Sequence, residues 1–292
     1  MSKQKRRLRA ILAVSVLLLL VGAELIWSNC TLTVRRCTVS SDKAGEGFRI
    51  VLLTDLHGRE FGRGNSRLLE AVRAEAPDII CLVGDFIDAR AQDADVRNMC
   101  DFIEAASEIA PTYFGMGNHE YFYMEHRDAC IAERIADTGA VVLDGEFTEV
   151  ELGGAKVCIG GYEGYYRTPH MNSRDTARQQ ADSAFFDEFE DTGCFKLLLN
   201  HIPTNWLDWD YRDKYPVDLV LSGHYHGGLV RIPILERGLY APYVGLFPPY
   251  TKGCFEGEKA TCVLSAGLAG ANGFPRVFNP PEIVTVDVVP AA

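Results

Sequence analysis

From residue 48 onward, short runs of consecutive apolar residues alternate with longer stretches in which apolar residues recur every three or four positions. The first run, 48–54 (FRIVLLT), reads as a strand buried on both faces. Residues 65–76 set Leu68, Leu69 and Val72 at helical spacing among charges, and Pro77 stops the helix. Strands follow at 78–83 and 112–116, with an amphipathic helix over 96–109 between them and another helix over 127–137. After residue 140 the texture changes. Strands at 140–143, 147–152 and 156–159 are separated by Asp144-Gly145 and Gly153-Gly154, both hairpin signals. A helix over 175–190 and strands at 195–199, 217–221, 230–232, 260–265 and 282–288 complete the pattern. Residues 48–292 therefore read as one α/β domain, with 30–47 as a linker or first strand. Strands that follow one another without helices argue against a purely parallel sheet.

The amino terminus follows a different rule. Lys3, Lys5, Arg6, Arg7 and Arg9 precede an apolar stretch, 10–27, whose one charge is Glu24. Its 18 residues reach the ~17–25 needed to cross a bilayer, and Trp27 sits where an interfacial aromatic belongs. The segment 1–29 is expected to be a retained transmembrane anchor rather than a signal cleaved after Ala23. The flanking charges would hold the amino terminus in the cytoplasm, giving a single-pass protein of the cell membrane with an extracytoplasmic domain.

Charge narrows the partners. The chain of 292 residues carries 29 basic and 40 acidic side chains, and beyond the basic leader 24 face 40. A body this acidic lacks the basic patches that nucleic acid requires. Nine cysteines leave the compartment open: Cys81 and Cys158 lie in strand-like runs, while Cys30 with Cys37, or Cys254 with Cys262, could pair under oxidising conditions.

The chemistry gathers at strand ends. The strand at 48 gives Asp55-Leu56-His57, and the strand at 78 gives Gly84-Asp85-Phe86-Ile87-Asp88. Then come Gly117-Asn118-His119-Glu120, Asn200-His201, and Gly223-His224-Tyr225-His226. Five of the seven histidines fall in these segments, leaving only His126 and His170. Carboxylate, imidazole and amide oxygen suit a borderline or hard divalent ion, and the absence of thiolates argues against a structural zinc cluster. Each piece alone has an ordinary reading as a capped turn or a buried histidine. Five in order, each where a strand of an open sheet ends, define a site.

That series, DLH, GDFID, GNHE, NHIP and GHYHGG, resembles the calcineurin-like metallophosphoesterases over about residues 48–288. The segments GLYAPYVGLFPPYTKG and FNPPEI are similar to the membrane-anchored bacterial phosphodiesterases related to YkuE and YaeI. The resemblance implies a four-layer α/β/β/α sandwich with two mixed sheets. It implies that Asp55, His57, Asp85 and His226 hold one divalent ion, and that Asp85, Asn118, His201 and His224 hold a second. His119 would stand beside the ions to protonate a leaving oxygen or steady the transition state, while Glu120 would orient His119 and Asp88 would orient a ligand. Manganese, iron, zinc and magnesium all suit these donors. The reaction implied is attack on a phosphate ester by hydroxide held between ions about 3.5–4 Å apart.

The motifs fix the reaction class and leave the substrate open. An anchored phosphodiesterase acting on a lipid- or envelope-linked ester comes first. A pyrophosphate hydrolase for UDP-2,3-diacylglucosamine is the second enzyme reading, and a catalytically silent anchored binding module is the non-enzymatic one. The aromatic, Pro-rich loop 238–253 is expected to be either a packed cover over the sheet edge or a lip that contacts lipid. Arg59, Arg63, Arg167 and Arg276 are candidates to meet a phosphate or a charged headgroup, with ordinary surface arginine the alternative for each.

Overall fold

The computed structural model describes residues 3–162, 176–271 and 273–291. Its strands are, in chain order, β1 (Thr33–Ser41), β2 (Phe48–Leu53), β3 (Ile79–Val83), β4 (Thr112–Gly115), β5 (Val141–Leu143), β6 (Glu146–Leu152), β7 (Ala155–Tyr162) and β8 (Phe195–Asn200). The last four long strands are β9 (Leu219–Ser222), β10 (Gly253–Glu256), β11 (Thr261–Leu264) and β12 (Glu282–Pro290). They form two six-stranded sheets, ordered β1-β12-β2-β3-β4-β5 and β10-β11-β9-β8-β7-β6. In the first, β2 through β5 run parallel and β12 returns antiparallel to β2. In the second, β7, β8, β9 and β11 are parallel neighbours, flanked by antiparallel β6 and β10. Both sheets are mixed.

Alternation along each strand divides the interior into three layers. Val51, Leu53, Ile80, Leu82 and Phe114 face outward onto α2 (Ser66–Ala74), α3 (Asp93–Ser107) and α5 (Ile131–Ala136). Their neighbours Ile50, Leu52, Ile79, Cys81 and Val83 face inward, against Val157, Ile159, Leu197, Leu199, Leu219 and Val263 of the other sheet. On the far side, Cys158, Leu198, Val220 and Cys262 pack beneath Phe185, Phe186 and Phe189 of α6 (Thr176–Asp191) and Trp206 of α7 (Thr204–Leu207). The result is the α/β/β/α sandwich. Strands covered on both faces need apolar residues at every position, which is why they read as uninterrupted runs.

Two features depart from the sequence pattern, and one open reading is resolved. A helix, α4 (Asn118–His126), begins within the GNHE segment, and the helix expected over 127–137 is confined to Ile131–Ala136. The stretch NHEYFYMEH carries no helical apolar stripe, so periodicity could not find α4. Of the two readings given for 30–47, the segment holds the strand, β1, which pairs with β12 at the edge of the first sheet. The disulfide joins neither expected pair: Cys37 on β1 is bonded to Cys254 on β10, stapling the edges of the two sheets. Cys262 sits opposite Phe255, one position out of register with Cys254, so its side chain enters the core beneath α6 instead.

The amino-terminal helix, α1 (Lys3–Cys30), is long and apolar enough to cross a membrane and is unburied along its apolar window. Its last turns touch the domain. Asn29 Nδ2 donates to the Arg276 carbonyl at 2.9 Å and Asn29 Oδ1 accepts the Arg276 N–H at 3.0 Å. Ser28 Oγ accepts the Asn279 N–H at 3.1 Å, and Glu24 accepts the Phe278 N–H at 2.5 Å.

Candidate metal centre

The carboxyl ends of β2, β3 and β4 in one sheet meet those of β8 and β9 in the other, and every motif residue lies on that seam. Asp55 and His57 follow β2, and Asp85 and Asp88 follow β3. Asn118, His119 and Glu120 open α4 just past β4. His201 follows β8, and His224 and His226 follow β9. Asp55, His57 and His226 offer donor atoms all within 4.8 Å of one another, as do Asp85, His201 and His224. Asp85 stands between the groups: its Oδ2 is 3.1 Å from His201 Nε2 and 3.8 Å from His57 Nε2. Asp55 Oδ1 lies 3.5 Å from His226 Nε2.

Backbone conformation aims these side chains. Asp55, His57, Asp85, His224 and His226 all adopt positive φ, at 55°, 47°, 57°, 68° and 46°. Such values are uncommon for residues bearing a Cβ and concentrate at functional sites. Gly84 (φ 70°) permits the tight passage before Asp85, since a Cβ there would come within 2.7 Å of the Gly117 nitrogen.

Hydrogen bonds behind the cluster set the histidine tautomers. Nδ1 of His201 meets the Val83 carbonyl at 2.8 Å and Nδ1 of His226 meets the Ala269 carbonyl at 3.1 Å, so each ring keeps a proton there and turns Nε2 inward. Burial drives His57 down to about 4 and His224 to about 3, leaving neutral rings. Asp55 and Asp85 are held below the usual carboxylate range: burial opposes this, and the surrounding histidines outweigh it. His201 moves the other way, up to about 10, because Asp85 and Asp55 overcome the effect of its burial.

The donor set fits cations. Nε2 of His57, Nε2 of His224 and Oδ1 of Asn118 are buried and receive no hydrogen bond from the protein. All three are polar atoms turned into one space, an arrangement that costs stability unless something such as a cation occupies it. A cleft of about 270 Å³ opens over them, lined by His57, Asp85, Asn118, His119, His224 and His226 below and by Tyr240, Pro242, Tyr243 and Ala271 above. No lysine or arginine appears among its described lining residues.

Several expected roles change. Glu120 is fully buried and does not serve His119. Its carboxylate accepts the N–H groups of Asp85 (2.7 Å), Phe86 (2.7 Å), Ile87 (3.2 Å) and Gly117 (2.9 Å), and so holds the Asp85 loop against the start of α4. His119 is set instead by Ala89, whose N–H donates to Nδ1 at 2.8 Å. Asp88 lies within 4.8 Å of ring nitrogens of both His57 and His119. Arg276 is unavailable to phosphate: fully buried, it donates to the carbonyls of Ala266, Ala269 and Asn279. Arg59 is engaged by the Asn29 carbonyl, Arg63 is exposed outside the cleft lining, and Arg167 lies outside the described residues. Tyr243, whose ring stacks on His224 (centroids 5.2 Å, 14° between planes), was visible in sequence only as part of an aromatic loop.

The chain belongs to the calcineurin-like phosphoesterase family, whose model matches residues 48–228, and is thereby a metal-dependent phosphoester hydrolase. It is 28% identical to an uncharacterized metallophosphoesterase of Campylobacter jejuni over 290 residues, covering 96% of this chain and 70% of the relative. It is 26% identical to the phosphodiesterase YaeI of Escherichia coli, covering 64% of each chain. A zebrafish (Danio rerio) protein named a transmembrane protein with metallophosphoesterase domain is 26% identical, over 82% of this chain and 53% of its own.

Proposed function

We propose that this chain is a phosphodiesterase anchored in the cell membrane, hydrolysing a phosphate ester carried by a lipid or another envelope component. The observation that carries the reading is the convergence of Asp55, His57, Asp85, Asn118, His201, His224 and His226 beneath a cleft whose described walls offer no other positive charge. One ion would rest on Asp55, His57, Asp85 and His226, a second on Asp85, Asn118, His201 and His224. Two bound divalent cations would supply a water that ionises near neutral pH and positive charge for the phosphoryl oxygens.

The chain's own residues supply the rest. With Nδ1 of His119 occupied by the Ala89 N–H, the ring proton sits on Nε2, 3.9 Å from Asp85 Oδ2 and directed into the cleft. There it meets an ester oxygen and steadies the charge that develops as the bond to phosphorus breaks. Tyr240 and Tyr243 close the opposite wall and favour an apolar or aromatic leaving group.

Support for the anchor comes from α1 itself and from the name of the zebrafish relative. The Cys37–Cys254 bond favours an oxidising compartment, consistent with a domain outside the cytoplasm. The test is to purify the full chain in detergent, measure bound metal, and assay it with manganese on a phosphomonoester, a phosphodiester, UDP-2,3-diacylglucosamine and phospholipid vesicles. Turnover of a diester is expected. Full metal occupancy without turnover of any of the four would overturn the enzymatic reading in favour of a silent binding module.

A further inference from the structure

Glu24 is the one charge inside the apolar stretch 10–27, and its carboxylate accepts the backbone N–H of Phe278. Leu25, Ile26 and Trp27 follow Glu24, so the contact lies about 9 Å below the end of the helix at Cys30, at a rise of about 1.5 Å per residue. The loop around residues 274–279 therefore runs alongside the apolar part of α1 rather than above it. Asn29 and Ser28 clasp the same loop at Arg276 and Asn279, leaving it little freedom to swing away.

This loop and those tied to it expose large apolar side chains. Phe274 is 68% exposed and Phe278 45%. Val277 exchanges backbone hydrogen bonds with the segment Leu229–Arg231, which leads into a short hairpin whose tip carries Ile234 (94%) and Leu235 (61%). Phe247 returns its N–H to Leu239 and stands with Leu246 at the end of a second hairpin, the one that bears Tyr240 of the cleft wall. A soluble surface seldom gathers so many exposed large apolar side chains on adjoining loops.

We propose that Ile234, Leu235, Leu246, Phe247, Phe274 and Phe278 form a membrane-contacting rim, seated in the interfacial layer of the bilayer that α1 crosses. The proposal rests on the anchored reading above. Its occupant is a lipid surface, because the rim is fixed to the helix at a level within its apolar span. Seated there, the rim holds the mouth of the cleft against the leaflet and gives esters in lipid headgroups a short path to the metal centre.

Quenching by bromine-labelled phospholipids tests it. The full chain is reconstituted in such vesicles in a Trp27→Phe background, with single tryptophans introduced by Ile234→Trp, Phe247→Trp or Phe274→Trp. Leu18→Trp reports the helix centre and Glu258→Trp the far turn between β10 and β11. Signal beyond the background is expected to shift blue and lose intensity at the three rim positions and at residue 18, and to stay unchanged at 258. Quenching at 18 without quenching at the rim would overturn the rim while leaving the anchor standing, and would point to a second protein or a second copy on that surface. No quenching at 18 would overturn both.

Discussion

The backbone N–H of Ala89 donates to Nδ1 of His119 at 2.8 Å, and that single bond determines which ring nitrogen carries a proton into the cleft. On the mechanism proposed above, His119 acts on the ester and binds no cation. His119→Ala is expected to lower kcat by about 10²–10⁴-fold while leaving metal content unchanged. Elemental analysis beside the rate measurement decides the matter, since loss of metal in this variant would reassign His119 as a ligand.

Asp85 faces the opposite demand. Its Oδ1 accepts the His119 N–H at 2.9 Å, and its Oδ2 lies between His57 and His201. Asn at this position can still accept from the His119 N–H but carries no charge to share between two cations. Asp85→Asn should therefore fold, lose bound metal and fall to background turnover. Two metals per chain in this variant would refute a bridging carboxylate.

Glu282 offers a pH signature remote from the chemistry. It is buried at the start of β12 between Arg35 and Lys252, each 3.1 Å away, and accepts the Ala266 N–H. Burial by itself would raise its pKa, but Arg35 and Lys252 prevail and hold it below its ordinary value of 4.5. Its carboxylate thus contributes stability that is complete above pH 4.5 and is lost as pH falls toward the lower folded value. Glu282→Gln should cost about 3 kcal/mol at neutral pH, and the gap to the parent should narrow under acid. Urea denaturation across a pH series reads this out. A gap that does not narrow as the pH falls would remove the ionic explanation.

Thiol counting checks the sheet staple. Unfolded without reductant, the chain should titrate seven thiols, and nine after reduction. Cys37→Ser should lower stability by about 2–5 kcal/mol. Nine thiols before reduction would show the two edges to be unlinked.

The sequence carried more of the site than of its setting. Each motif ends a strand buried on both faces, and a run such as FRIVLLT followed by Asp55 announces both element and chemistry. Three things were not legible for physical reasons. Glu120 serves backbone N–H groups, and a side chain that binds main chain leaves no mark on its partners' identities. The Cys37–Cys254 pair spans 217 residues, so only the juxtaposition of two sheet edges could reveal it. Arg276 could be read only as a surface arginine or a candidate phosphate contact, because its sequence position says nothing of the three carbonyls that enclose it.

The five left-handed residues of the centre carry a practical consequence for anyone engineering this protein. Each departs from comfortable backbone geometry at a cost of order 1 kcal/mol, which the surrounding sheets must offset. Glycine at any of Asp55, His57, Asp85, His224 or His226 would relax the chain and remove a donor in the same step. A campaign that selects for heat resistance alone would thus drift toward a sturdier sandwich with an empty seam. Selection here has to be made on turnover, because left-handed backbone at these five positions also carries the proposed donors.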